Sequence, residues 1–176
     1  MNIGYLKDFL DYFKDFPLER IGFMHPNYTS EEMAETHNQL WSEYYKATAS
    51  NLDEVNIENF NLQLLWDEIQ NIKSSNYNFE VNFSPELATK KQLDVFYNKP
   101  EHYIGKRCDD VFSNIMIKSD GSVIPAHGRC YNLELGNLYQ SSLKSIWESK
   151  VLKNLRSDLN KAGGLFPACS RCCSAF

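Results

Sequence analysis

The chain has 176 residues, enough for one good core, or for one core plus a small appendage held by metal. Hydrophobic residues make up 43% and aromatics 14%, with ten Tyr and eleven Phe, which supports a folded interior and argues against disorder. The net charge of -5, with Lys and Arg scattered among the acidic residues, leaves no basic footprint for nucleic acid, and no apolar run approaches the roughly 20 residues of a membrane-spanning helix.

Neither nucleic acid nor membrane is therefore an expected partner. The start, Met1 to Asp8, has no basic n-region and no small-residue cleavage site, so the expected compartment is the cytoplasm. Thiols stay reduced there, and clustered cysteines read as metal ligands or redox groups before they read as disulfides.

In chain order, Leu6, Phe9, Leu10, Phe13 and Phe16 follow one helix face, and Pro17 ends that helix. Arg20 to Met24 has the length of a buried strand, closed by the turn residues His25-Pro26-Asn27. Thr29 with Glu32 three residues on is a capping-box signature, and it predicts a second helix to about Lys46, with Met33, His37, Leu40, Trp41 and Tyr44. Phe60, Leu64, Leu65, Ile69 and Ile72 mark a third helix. Phe79, Val81 and Phe83 alternate with polar residues as a strand, stopped by Pro85, and Leu87 to about Tyr97 is helical. Helices alternating with single short strands imply βα units and a parallel sheet, yet two strands leave that sheet incomplete, with open edges.

The character changes at the first cysteine. Ile115-Met116-Ile117 and Val123-Ile124 flank an Asp120-Gly121 turn, which predicts a hairpin. Leu143 to Asp158 reads as one helix, ended by Ala162-Gly163-Gly164. Cys169 and Cys172, two residues apart, form a knuckle that can present both thiolates to one metal centre. Structural zinc and iron-sulfur clusters each take about four protein ligands, and Cys108 before the hairpin and Cys130 after it are the completers. Buried hydrophobic thiols and a disulfide framework are the rival readings; a knuckle in a polar tail disfavours the first, and an odd count of five disfavours the second. All-thiolate sites suit zinc as well as iron-sulfur clusters.

The succession of Cys108, Asp120-Gly121-Ser122-Val123-Ile124-Pro125, Gly136-Asn137, Leu143-Lys144-Ser145-Ile146-Trp147, Arg156 and Cys169-Ser170-Arg171-Cys172 resembles the SPASM or twitch domain that follows the barrel of radical S-adenosylmethionine enzymes. The resemblance implies an α/β chain with two domains. Residues 1–104 would be an incomplete βα-barrel remnant with few parallel strands, with His25 and Pro85 at the ends of its last strands. Residues 105–176 would be a small cysteine-rich α+β domain with a β-hairpin.

It further implies one auxiliary [4Fe-4S] cluster on Cys108, Cys130, Cys169 and Cys172, for substrate anchoring or electron transfer. The family's usual second ligand falls at Ala126 here, so Cys130 replaces it, with His127 and Cys173 as the other candidates. No cysteine precedes Cys108, so the Cys-x3-Cys-x2-Cys loop that cleaves S-adenosylmethionine is absent, and that cofactor would belong to a complete parent oxidoreductase. The chain is expected to be inactive alone, either as a piece of such an enzyme or as a stand-alone remnant. The parent's peptide or small-molecule substrate is one expected partner, and a second copy paired through the open sheet edge is another. A zinc-stabilised interaction domain without redox role is the alternative.

Overall fold

The computed structural model describes residues 3–50, 60–126, 130 and 133–176, and within them the chain forms two compact units. The first comprises residues up to Tyr28 together with the stretch ending at His102. The second comprises Thr29–Ser50 and Tyr103–Phe176. Among the described residues no helix is long and apolar enough to cross a membrane.

The first unit contains helix α1 (Leu6–Phe13), strand β1 (Arg20–Met24), helix α3 (Leu62–Ser74), strand β2 (Glu80–Ser84) and helix α4 (Lys90–Asn98); α2 (Glu31–Tyr45) lies in the second unit. β1 and β2 pair in parallel, with Ile21 opposite Val81 and Phe23 opposite Phe83, as the βα reading expects. Side chains alternate across the sheet, so Ile21, Phe23, Val81 and Phe83 share one face while Arg20 and Glu80 meet as an ion pair on the other. The Phe23 and Phe83 rings stack with centroids 5.4 Å apart.

Caps explain where the helices start. The Glu68 carboxylate accepts from the N–H groups of Gly4 and Leu6, satisfying donors at the open end of α1. Asn61 caps α3, and Thr89 with Gln92 forms a full capping box on α4. α1 is shorter than its apolar periodicity predicts: it ends at Phe13, and Phe16 is exposed. Leu10, Ile69, Leu93, Phe96 and Tyr97 are essentially inaccessible and form the interior.

The second unit contains α2 (Glu31–Tyr45), α5 (Asp110–Ser113), β3 (Ile115–Ile117), β4 (Ser122–Pro125), β5 (Gly136–Asn137), α6 (Leu143–Trp147), α7 (Lys150–Lys161), and two 3-10 turns at Pro167–Cys169 and Cys173–Ala175. Residues 29–50 pack in this unit although they lie early in the chain, because α2 supplies part of its core. Phe166 is fully buried between Trp41 and Tyr45, at centroid distances of 4.8 and 5.2 Å, and His37 sits edge-on to it at 5.5 Å. The cap of α2 is Ser30, not Thr29: the Ser30 hydroxyl accepts from the Met33 N–H, while Thr29 exchanges backbone hydrogen bonds with Ser50.

The hairpin forms as expected, with β3 and β4 antiparallel across Asp120-Gly121. Gly121 has φ +79, and a Cβ there would meet the Tyr139 ring at 2.6 Å, so only glycine fits this turn. Gly136-Asn137 forms a third strand, paired with β4. The helix predicted over Leu143 to Asp158 is two helices: Ser142 caps α6 and Ser149, in extended conformation, caps α7. A serine hydroxyl that takes the Leu152 N–H starts a new helix at the position where a continuous one would pass through.

Candidate metal centre

The four cysteines come from three separated segments, and local structure sets each of them. Cys108 lies just ahead of α5, and its sulfur accepts from the N–H groups of Asp110 and Val111. Burial pushes the Cys108 thiol above its ordinary range, the two N–H contacts oppose that shift, and the nearby Cys172 sulfur adds to it. Cys169 closes the first 3-10 turn. Cys172 immediately precedes the second, and the Cys172 N–H donates to the Cys169 carbonyl at 3.0 Å. Cys130 lies beyond β4 and its carbonyl accepts from Leu133 N–H.

Cys108, Cys130, Cys169 and Cys172 border a single cavity, whose remaining wall includes Val111, Leu155, Leu159 and Phe166. The structure thus brings together the four positions expected from the spacing. Cys173 is not among the described residues that border it, and His127 lies outside the described residues. Ala126, at the family's usual ligand position, takes φ 41, a left-handed conformation that turns the chain directly after β4.

A belt of hydrogen bonds holds the cysteine-bearing segments in place. Ile104 N–H donates to Ser170 Oγ at 2.9 Å, Lys106 N–H to the Ala175 carbonyl at 2.6 Å, and Cys108 N–H to the Gly164 carbonyl at 3.1 Å. The Ser174 hydroxyl donates to the Asp110 carboxylate, tying the C-terminal turn to α5. Gly105 is packed so closely that a Cβ would meet Ala175 at 2.8 Å. Arg156 donates from Nε to the Val111 carbonyl at 2.9 Å and lies over the Trp147 ring at 4.2 Å. It therefore fixes α5, and with it the turn that follows Cys108.

The donor set is sulfur in an apolar enclosure, which fits a soft-metal or iron-sulfur centre and not a hard cation that needs oxygen ligands. Among the described residues no three Cys, His, Asp or Glu side chains converge closely enough to share a single ion.

Other residues singled out by sequence have structural work. His25 is buried against Tyr97 in the first unit, and His37 donates from Nε2 to the Tyr45 carbonyl, packed as expected while its neighbour Leu40 is exposed. Ile146 is core and Trp147 is half-buried under Arg156. Sequence reasoning assigned no role to Arg171, which is wholly buried between two cavity cysteines and donates from Nη1 to Ser170 Oγ at 2.6 Å. Its place inside the knuckle was the available signal.

Residues 108–173 match the family model described as SPASM, an iron-sulfur cluster-binding domain, and all five cysteines fall inside the matched span. No curated protein and no solved structure matches the chain. The second unit therefore contains a segment similar to that iron-sulfur cluster-binding domain, set in a chain of mixed helices and small sheets.

Proposed function

We propose that the chain is an auxiliary cluster module of a radical S-adenosylmethionine enzyme system, with Cys108, Cys130, Cys169 and Cys172 holding one [4Fe-4S] cluster. The observation that carries this reading is the meeting of four thiols from three segments around one apolar cavity, within the span matched by the SPASM model. A cubane cluster offers four irons, each taking one thiolate, so its ligands surround a volume, whereas a zinc ion draws sulfurs to about 2.3 Å of one point. When bound, such a cluster supplies an electron-transfer centre or an open iron that anchors substrate.

The chain's own residues then have definite tasks. The Asp110 and Val111 N–H groups stabilise the Cys108 thiolate. Val111, Leu155, Leu159 and Phe166 keep water from the sulfurs, and Arg156 with the belt from 104 to 108 holds α5 and the C-terminal turns in position. The radical-generating step, and the peptide or small molecule acted on, belong to a partner domain or chain that carries the three-cysteine loop. Residues 1–104 are proposed to be the barrel remnant joined to that module.

Anaerobic reconstitution with iron and sulfide tests the reading. The expected product is brown, absorbs near 400 nm, and contains about four irons with matching sulfide per chain. A colourless protein that retains one zinc through the same treatment refutes it in favour of a zinc-stabilised interaction domain.

A further inference from the structure

The knuckle that carries two of the cavity cysteines also carries a charge to which cluster ligation gives no task. Among the described residues, Arg171 is the one Lys or Arg side chain wholly withdrawn from solvent, at 0% exposed. Arg20 and Arg107 instead pair with Glu80 and Asp109 at exposed positions, and Arg156 reaches from the Val111 carbonyl to the Trp147 ring.

Hydrogen bonds fix where the Arg171 head group sits. Its Nη1 donates to Ser170 Oγ at 2.6 Å. That hydroxyl is itself buried, accepts from the Ile104 N–H at 2.9 Å and donates to the Ile104 carbonyl at 3.2 Å. Ser170 directly follows Cys169 and Arg171 directly precedes Cys172, and the turn is tight, since the Cys172 N–H returns to the Cys169 carbonyl. A guanidinium held on Ser170 is therefore held at the turn that presents both thiols. Guanidinium groups stay protonated in proteins, and an interior cation is costly unless negative charge lies close. Ligating thiolates are such charge, because four of them outweigh the positive charge of an iron-sulfide core. Reduction adds one electron from an external reductant and neither makes nor breaks a bond, so the centre becomes more negative by one charge. A fixed positive charge nearby stabilises that reduced form and raises the potential.

We infer that Arg171 sets the charge balance of the cysteine centre: its buried guanidinium, held on Ser170, raises the reduction potential of a cluster ligated by Cys108, Cys130, Cys169 and Cys172. This role rests on the cluster proposed above and gives a task to a residue that ligates nothing.

Anaerobic redox titration of the reconstituted full chain, followed by absorbance near 400 nm and by electron paramagnetic resonance of the reduced form, reads the potential. Two variants separate charge from geometry: Arg171→Gln keeps a donor for Ser170 and removes the charge, whereas Arg171→Lys keeps the charge and loses the planar fork. In Arg171→Gln the equilibrium constant for reduction is expected to fall about tenfold, a shift of about 59 mV to lower potential for one electron. Arg171→Lys is expected to stay within about twofold of the wild type. Loss of the cluster from Arg171→Gln alone also supports the charge role. An unshifted or raised potential in Arg171→Gln overturns the inference, as does any shift or loss of cluster that Arg171→Lys shares or exceeds, since a guanidinium needed only for its fork would fail in both. A wild-type chain that takes up no iron refutes the cluster itself, and this role with it, before either variant is compared.

Discussion

The two units build their interiors from different materials. In the first, Phe23 stacks on Phe83, helices close over one side of a two-stranded parallel sheet, and Leu10, Leu93 and Phe96 seal the centre without any sulfur. In the second, Phe166 is clamped by Trp41 and Tyr45, but next to it lies a cavity edged by four thiols where another core would place carbon. Apolar burial dominates the first interior, whereas in the second a centre bound by the sulfurs would add to stability.

The sharpest way to break this contrast is Cys172→Ser. It is expected to abolish retention of the reconstituted cluster, taking iron from about four per chain to fewer than one, while amide exchange in α3 and α4 stays unchanged. Slowed exchange in α4 on cluster loading would show instead that the two interiors are energetically one.

The converse variant is Phe96→Ala. Removing a fully buried ring from the first unit should cost about 3–5 kcal/mol by urea unfolding and leave iron content per chain intact.

Acid should separate the units next. His25 is neutral in the folded first unit, with a pKa of about 4, while in the unfolded chain it titrates near 6.5. The unfolded state therefore gains the proton first as pH falls. Stability is full above about 6.5 and declines by about 3 kcal/mol as pH drops to about 4. Local exchange in α4 at pH 7 and pH 4.5 reads this out, and His25→Phe should flatten the slope.

The smallest expected effect is Ser149→Ala, which removes the cap of α7. A loss of about 1 kcal/mol, confined to the second unit, is expected from thermal unfolding.

Much of this arrangement was legible in the residues. The alternation in Phe79 to Phe83, the Asp120-Gly121 turn and the knuckle Cys169/Cys172 each carry local signals strong enough to read without tertiary knowledge, and the structure places the corresponding elements there. What could not be read depends on distant partners. Thr29 lost the capping role to Ser30 because its backbone pairs with Ser50. Residues 29–50 joined the cysteine-rich unit because Trp41 and Tyr45 find Phe166 more than a hundred positions later. The break at Ser149 was masked by an apolar period that runs through it. The partner of His25, Tyr97, lies 72 residues away in sequence, so their contact could not be anticipated.

The hydrogen-bonded belt has a kinetic consequence. Ile104 and Ser170 are 66 positions apart, and drawing together the ends of a flexible loop of that length costs about 4 kcal/mol beyond a constant. Backbone contacts at Ile104, Lys106 and Cys108 oppose that cost and hold Cys108 at the same cavity as Cys169 and Cys172. Loading should then follow simple second-order kinetics, linear in the concentration of the donor and free of the lag that a folding-gated site would show.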